Sequence, residues 1–373
     1  MQNRLETLLA HAGYDPDPQT GAVIPPINLA TTFERVPGED PRYVYTRATN
    51  PNREQFESLM ARLEEGGDAM AFASGMAAIS SVFQLFEPGD RVLLPDNLYY
   101  GVRKVLADVF SRWKLRYDYV DTTDLSAVEE ALREPTRLLW LETPSNPLGH
   151  ITDLRAISQL AHDKGAHVAV DGTFTTPLLQ RPLELGADVV VHSVTKFLSG
   201  HSDVLAGVAV VKEGSELAGP LREIQQSYGA VLDPFSAWLA MRGMRTLAVR
   251  IRTQCLNARR IADFLSEHPQ VAAVHYPGLP SHPGRDTARS QMDDFGGMLS
   301  FEMKDGAEAA KEVVRRCRVF RRATSLGGTE SLIEHRASIE QLSAIPDSLI
   351  RVSTGIEHID DLLDDLSQAL REG

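Results

Sequence analysis

The sequence contains few cysteines and no long apolar segment. Only Cys255 and Cys317 occur among its 373 residues, and neither belongs to a CxxC motif. Two isolated thiols cannot form a disulfide scaffold or the usual zinc and redox centres, so we expect a reducing, cytoplasmic compartment. The first residues lack the basic and apolar regions of a signal peptide, and the apolar run at 204–211 is too short to span a bilayer. We therefore expect no membrane partner.

Positive charge is also scarce. The chain has 38 Lys and Arg against 51 Asp and Glu, which gives a formal net charge of −13. Such a surface repels phosphate backbones, so nucleic acid is not expected as a partner, although a local positive site can still bind a small anion. The phosphate-binding motifs GxGxxG and GxxxxGKS/T are absent, which argues against the nucleotide-binding folds that carry them.

The pattern along the chain predicts three parts. Residues 1–54 are rich in Pro, Asn and Thr and lack helical periodicity, so they are expected to form an extended arm. In residues 55–245, short apolar runs alternate with amphipathic segments, which is typical of an α/β domain with a mainly parallel sheet. Residues 246–373 continue an arginine-rich helical stretch into a smaller α+β domain.

Residues that could bind a ligand or take part in catalysis follow consecutive apolar runs within residues 55–245. In a parallel sheet, ligands bind beyond the carboxyl ends of the strands, so these positions are candidates for one site. They are Gly75 and Met76 after the run 69–73, Tyr99 after 91–95, Asn146 after 137–142, Asp171 at the end of 167–171, and Ser193, Thr195 and Lys196 around the end of 188–193.

Each of these residues has an ordinary structural explanation, but their combination indicates a pyridoxal 5'-phosphate site. A desolvated Lys196 is a good Schiff-base amine, and Asp171 can pair with a cationic ring nitrogen. Gly75 opens a helix whose free N–H groups attract phosphate, and Tyr99 can stack on a planar ring. These are the groups that this cofactor requires, and they occur in order on consecutive strand ends.

Eight sequence blocks carry a further signal: YTRATNPN, AFASGMAA, LETPSNP, VDGTF, HSVTKFLSGHSDVLAG, YPGLPSHP, SLGGTESLIEH and IRVSTGIE. Together they resemble the pyridoxal-phosphate-dependent enzymes of cysteine and methionine metabolism, which include the cystathionine lyases and synthases. The resemblance implies the aspartate-aminotransferase-like type I fold, with an arm, a large cofactor domain and a small C-terminal domain. It also implies a homotetramer made of two catalytic dimers, and an amino-acid substrate.

The resemblance also implies a role for each candidate residue. Lys196 would bind the cofactor covalently and transfer protons, Asp171 would pair with the ring nitrogen, and Tyr99 would stack on the ring and assist catalysis. The remaining roles are phosphate binding by Gly75, Met76, Ser193 and Thr195, phosphate binding from the neighbouring subunit by Tyr45 and Arg47, and substrate-carboxylate binding by Asn146, Ser325 and Arg351.

Four departures from the family pattern affect the expected chemistry. Gly172 replaces the usual Asn, and Ala48-Thr49 replaces a small-Gly pair, and neither is expected to prevent cofactor chemistry. Thr324 stands where many family members carry Glu, so it is expected to face the substrate and tune its selection. Ile339-Glu340 replaces Met-Thr-His and also bears on the substrate.

The favoured reaction is gamma-elimination of cystathionine to cysteine, 2-oxobutanoate and ammonia, as in a cystathionine gamma-lyase. Cystathionine gamma-synthase, O-acetylhomoserine sulfhydrylase and cystathionine beta-lyase remain alternatives within the family. Methionine gamma-lyase is disfavoured because Gly101 stands where that enzyme has a reactive Cys. More distant alternatives are an aminotransferase and a cofactor-sensing regulator without enzymatic activity. The regulator would be expected to carry a DNA-binding module, and this chain has no room for one before the arm.

Overall fold

A computed structural model describes residues 4–13, 17, 19–38, 40–340 and 345–371. Two β-sheets organise it. The strands are β1 Asp68–Phe72, β2 Arg91–Pro95, β3 Arg116–Val120, β4 Leu138–Glu142, β5 His167–Asp171, β6 Val189–Ser193, β7 Gly207–Val211, β8 Val271–His275, β9 Met298–Met303, β10 Arg321–Arg322, β11 Leu332–His335 and β12 Leu349–Ser353.

Helices cover both sheets. The α-helices are α1 Leu5–Ala10, α2 Pro51–Leu63, α3 Gly75–Phe83, α4 Tyr100–Val105, α5 Leu125–Ala131, α6 Leu154–Asp163, α7 Thr176–Leu179, α8 Ala218–Tyr228, α9 Pro234–Met244, α10 Leu247–Glu267, α11 Arg285–Gln291, α12 Gly306–Arg316 and α13 Ile359–Ala369. A π-helical turn spans Leu106–Phe110, and 3₁₀ turns span Pro182–Leu185 and Arg336–Ser338. Within the described ranges, no helix is long and apolar enough to cross a bilayer.

The large sheet has the strand order β1-β7-β6-β5-β4-β2-β3, in which only β7 runs antiparallel to its neighbours. This confirms the mainly parallel α/β fold expected from the alternating apolar runs. Successive residues of β4 enter different apolar clusters, with Leu139 and Leu141 in one and Leu138 and Trp140 in the other. Both faces of the sheet are therefore covered, which explains why its strands are apolar throughout.

The smaller sheet has the order β10-β11-β12-β9-β8 and is antiparallel except for the short β10–β11 pair. Helices α10 and α12 pack against it, and α13 packs against both helices, around an apolar cluster that includes Phe301 and Ile350. The presence of this sheet agrees with the expected α+β character of the C-terminal part. The boundaries proposed at residues 54 and 245 stay predictions.

Two features were not anticipated from the sequence. The arm contains the six-residue helix α1, whose Leu8 and Leu9 are buried against the large core. The helix is too short for its periodicity to be recognised. Strand β3 was also missed, because most of its residues are exposed or half-buried and it lies at the edge of the sheet. A strand of that kind lacks the apolar run that marks the central strands.

Candidate active site

The carboxyl ends of β4, β5 and β6 bring the predicted residues to one edge of the large sheet. Glu142 and Asp171 are direct partners across β4 and β5, and β6 ends at Ser193, three residues before Lys196. A cavity of about 220 Å³ lies at this edge. Eleven of the thirteen predicted site residues line it: Gly75, Met76, Tyr99, Asn146, Asp171, Ser193, Thr195, Lys196, Thr324, Ser325 and Arg351.

Lys196 presents an amine to this cavity. Its Nζ donates a hydrogen bond of 2.9 Å to Ser325 Oγ. Burial lowers the pKa of the Lys196 ammonium, and the positive charge of Arg351 lowers it further. Both effects favour the neutral amine, which is the form that attacks a carbonyl carbon or accepts a proton.

Asp171 is a buried carboxylate at the end of β5. It accepts a 2.9 Å hydrogen bond from the Thr173 backbone N–H, and burial raises its pKa. The nearby His192 pairs with Glu64, and within the described chain no ion pair involves Asp171. An unpaired buried carboxylate is costly. Its environment therefore suits a cationic ligand atom.

The start of helix α3 approaches β6 closely. Ser74 caps the helix by accepting a hydrogen bond from the Ala77 N–H. A Cβ at Gly75 would lie 2.9 Å from both the Cβ and the Oγ of Ser193, so only glycine allows this approach. The helix N-terminus and the Ser193 hydroxyl can together bind an anion. Thr195 is less available, because its hydroxyl donates to the Ala206 carbonyl and accepts from the Ala206 N–H.

Tyr99 lies at the mouth of the cavity with 38% of its surface exposed. Burial of the rest of the side chain raises the pKa of its phenol, so the hydroxyl stays protonated over a wide range of pH. A Cβ at Gly101 would collide with the Tyr99 ring. The same contact explains why this chain has no side chain at position 101.

Glu142 is a site residue that the sequence analysis missed. Its two carboxylate oxygens accept hydrogen bonds of 2.7 Å from the Tyr99 N–H and 2.8 Å from the Asn146 N–H. Burial, followed by the nearby charge of Asp171, raises its pKa well above the ordinary value. Glu142 therefore positions two of the predicted residues. The signal was present, since Glu142 ends a buried strand just as Asp171 does.

Arg351 joins the residues expected to bind a substrate carboxylate. Its Nη1 donates 3.0 Å to Asn146 Oδ1, and its Nη2 donates 3.2 Å to the Ser325 carbonyl. Burial lowers the pKa of Arg351 to about 10. Ser325 has a φ of 113°, which non-glycine residues rarely adopt outside functional sites.

A second group of charged residues surrounds Arg351. Glu340 was noted in the sequence as a departure that bears on the substrate, whereas Glu334 and Arg336 were missed. Glu334 is paired with Arg351 across β11 and β12. Its carboxylate accepts hydrogen bonds of 2.6 Å from Arg351 Nη2, 3.1 Å from Arg336 Nη1 and 3.0 Å from the Thr324 hydroxyl. Arg336 also pairs with Glu340. Their spacing in EHRASIE matches no motif, and only the strand register could have indicated the contact between Glu334 and Arg351.

Tyr45 and Arg47 do not line the cavity of their own chain. Tyr45 is 47% exposed and forms an isolated antiparallel bridge with Thr32. Arg47 Nη1 donates 2.6 Å to the Gln226 carbonyl. The role expected for both residues in a neighbouring subunit stays a prediction, as do the individual roles of the residues that line the cavity.

The structure gives a physical reason for Gly172. A Cβ at this position would lie 2.7 Å from His192 Cε1. The His192 ring is held by Glu64, whose Oε1 lies 2.5 Å from Nε2, and both side chains are fully buried. An asparagine side chain at position 172 would therefore meet an imidazole that is buried and hydrogen-bonded to Glu64.

Comparisons with known proteins agree with this site. The Cys/Met metabolism PLP-dependent enzyme family matches residues 6–371. The chain is 45% identical to the cystathionine beta-lyase of Coxiella burnetii over 99% of this chain and 98% of that protein. It is 48% identical to the cystathionine gamma-synthase of Mycobacterium tuberculosis, covering 98% and 96%.

The structural comparison gives the same answer. The crystal structure of cystathionine gamma-lyase from Lactobacillus plantarum, complexed with L-serine, superposes with a TM-score of 0.94. That protein is 40% identical, and the match covers 98% of both chains. The similarity spans both sheets and the cavity between them. The chain therefore belongs to the Cys/Met metabolism PLP-dependent enzyme family, whose cofactor is pyridoxal 5'-phosphate.

Proposed function

We propose that the protein cleaves the Cγ–S bond of cystathionine by gamma-elimination and releases cysteine, 2-oxobutanoate and ammonia. The observation that carries this proposal is the arrangement around Lys196. Its amine bonds to Ser325, whose carbonyl accepts from Arg351, and Arg351 also bonds to Asn146. A proton-transferring amine thus lies beside a site for an amino-acid carboxylate.

The residues of the cavity fit the cofactor. Asp171, buried without an ion-pair partner among the described residues, suits the ring nitrogen, and Gly75 leaves space for a phosphate between α3 and Ser193. Lys196 would hold the cofactor covalently and Tyr99 would cover its ring, with Met76 and Thr195 beside the phosphate. When bound, pyridoxal 5'-phosphate supplies an electron sink that stabilises negative charge at the substrate Cα.

The chain's own groups supply orientation and proton transfer. Arg351 binds the substrate carboxylate through two guanidinium nitrogens, with Asn146 beside it. The free amine of Lys196 would take the Cα proton, pass it on, and then take a Cβ proton, for which its lowered pKa is suited. The protonated phenol of Tyr99 can donate to the departing sulfur.

Gamma-replacement is the second candidate, as in a cystathionine gamma-synthase or an O-acetylhomoserine sulfhydrylase. It is supported by the 48% identity to the Mycobacterium tuberculosis synthase. The 45% identity to a cystathionine beta-lyase keeps beta-elimination as a third outcome. The uncharged Thr324 on the cavity wall is compatible with either replacement or elimination.

A product assay separates these reactions. The purified, cofactor-loaded protein is given L-cystathionine, and 2-oxobutanoate, cysteine, pyruvate and homocysteine are measured separately. A second assay supplies O-acetyl- or O-succinyl-L-homoserine with cysteine and measures cystathionine. Cysteine with 2-oxobutanoate supports the proposal. Pyruvate with homocysteine would replace it by a beta-lyase, and faster synthesis than cleavage would replace it by a gamma-synthase.

We also propose a cytoplasmic homotetramer built from two catalytic dimers, in which the arm of one subunit completes its neighbour's site. Tyr45 and Arg47 are available for this role, because neither lines the cavity of its own chain. Co-refolding inactive Arg47→Ala with inactive Lys196→Ala should restore part of the activity, since some sites receive both intact residues. A monomer in light scattering, or no recovery in proven mixed dimers, would refute sharing.

A further inference from the structure

Beside Arg351, the wall of the cavity carries a second buried arginine. Arg336 lines the cavity and is 4% exposed. Its Nη1 donates to Glu334 and its Nη2 to Glu340, whereas its buried Nε has no hydrogen-bond partner among the described residues. An unsatisfied buried donor on a cavity wall is suited to a ligand acceptor.

The charges of this region are arranged as two arginines and two carboxylates. Arg336 and Arg351 share one oxygen of Glu334, and Glu340 provides the second negative charge next to Arg336. If Arg351 binds the substrate's α-carboxylate, as the proposed function requires, Arg336 remains a cation close beside it. Two carboxylates of one substrate could then be bound side by side.

A purely structural role does not account for this cluster. Buried ion pairs contribute little to stability compared with apolar residues of the same volume, because desolvation offsets their attraction. The charges also act inside the cavity, since both Arg336 and Glu340 influence Tyr99 electrostatically. Thr324, the position expected to face the substrate, carries no charge of its own and bonds to Glu334.

We propose that Arg336 binds a carboxylate on the leaving-group side of the substrate, and that Glu334 and Glu340 position its guanidinium. This inference rests on the proposed function and names its substrate class. It predicts a preference for substrates that carry a free carboxylate on the leaving group, before that group departs, over alkyl thioethers and acetyl esters, which carry none. Arg336 is thus a specificity-determining residue in addition to Arg351.

The experiment compares matched substrates in the holoenzyme. One pair is L-cystathionine and S-ethyl-L-homocysteine, and the other is O-succinyl-L-homoserine and O-acetyl-L-homoserine. In each pair, only the first substrate carries a free carboxylate on its leaving group. The readouts are the ratio of kcat/KM within each pair and the ratio of dissociation constants, obtained by titrating the absorbance of the bound cofactor. Arg336→Gln should lower these ratios about tenfold to a hundredfold, the range expected for one charge-assisted hydrogen bond. Arg336→Lys should give an intermediate loss.

Two further variants protect the test against misfolding and general charge effects. The double variant Arg336→Gln/Glu340→Gln removes both members of the ion pair, so the Arg336 charge is not removed while that of Glu340 is kept. Arg322→Gln removes an exposed arginine of β10 on the same sheet and should leave the ratios unchanged. If the Arg336 variants slow all substrates equally, Arg336 is structural and the inference is wrong.

The outcome also separates this inference from the proposed function. If the wild-type protein binds the substrates without cleaving or exchanging the Cγ bond, the proposed function fails. The binding ratios then still report on Arg336. If the protein cleaves cystathionine but discriminates within neither pair, the proposed function stands and the inference about Arg336 falls.

Discussion

The two ends of the cavity handle charge in opposite ways. The cofactor end, formed by Asp171, Ser193 and Lys196, comes from the strand ends of the large sheet, and its buried carboxylate has no ion-pair partner in the described chain. The substrate end comes from the small sheet, where Arg351 is paired with Glu334. At the cofactor end, the negative charge of Asp171 is therefore left for a cationic ligand atom to neutralise. At the substrate end, the positive charge of Arg351 is neutralised by Glu334 of the protein itself.

This difference has an energetic consequence. An unpaired buried charge lowers the stability of the protein until a ligand neutralises it, whereas removing one partner of a buried pair creates such an unpaired charge. Neutralising a charge should therefore stabilise one end of the cavity and destabilise the other. The following predictions test that contrast, from the largest expected effect to the smallest.

Replacing Lys196 should have the greatest effect. Lys196→Ala removes covalent cofactor attachment and proton transfer together, so we expect kcat/KM to fall by roughly 10⁴-fold or more. The control is Lys212→Ala, which changes an exposed lysine just after β7 and should keep full activity. Turnover within tenfold of wild type, with unchanged circular dichroism, would remove Lys196 from the mechanism.

Neutralising Glu334 should destabilise the substrate end. Glu334→Gln leaves Arg351 and Arg336 without their shared carboxylate, and breaking a buried pair costs about 3–5 kcal/mol in the free energy of unfolding. Chemical denaturation measures this change. Glu302→Gln is the matched control on β9 of the same sheet, because its half-buried pair with His275 should contribute less than about 1 kcal/mol. Equal effects of the two variants would contradict the central role assigned to Glu334.

Adding one methyl group behind the cofactor end should also be destabilising. Gly172→Ala would bring its Cβ to 2.7 Å from His192 Cε1, and overpacking of this kind typically costs about 1–3 kcal/mol. In contrast, Gly219→Ala in α8 meets open space and should be neutral or slightly stabilising, because alanine favours helix. Thermal denaturation of both variants makes the comparison. A fully stable Gly172→Ala protein would show that His192 can shift.

Neutralising Asp171 should stabilise the cofactor-free protein, in contrast to Glu334. Burial raises the pKa of Asp171 in the folded state. The folded protein therefore binds this proton more tightly than the unfolded chain, so stability increases as pH falls through the raised pKa and the charged form is unfavourable at neutral pH. Asp171→Asn should raise the free energy of unfolding of the cofactor-free protein at neutral pH and remove that pH dependence.

The same substitution should lower activity by roughly a hundredfold in the loaded enzyme, because the counter-charge of the ring nitrogen is lost. Asp188→Asn is the control, since Asp188 already bonds to the Val168 N–H and to His162 and should gain no stability. A less stable cofactor-free Asp171→Asn protein would mean that the carboxylate is satisfied without a ligand.

The sequence alone determined the mainly parallel sheet and six of its seven strands, all except β3, and it gave a prediction of the positions at which chemistry could occur. Buried parallel strands are continuous apolar runs, and ligands collect at their carboxyl ends, so Lys196 and Asp171 could be identified from local pattern. The family blocks added Arg351 and Ser325, which no periodicity distinguishes. The individual roles assigned to these residues stay predictions.

Only the tertiary structure decided which charged side chains form ion pairs and which residues compete for the same space. Glu334 meets Arg351 through strand register, and Arg351 meets Asn146, which lies 205 residues earlier in the chain. Glycine is favoured at position 172 because the imidazole of His192, twenty residues later in the sequence, lies where a Cβ would be placed. Such pairings depend on distances between elements, and these distances are fixed by packing rather than by local sequence.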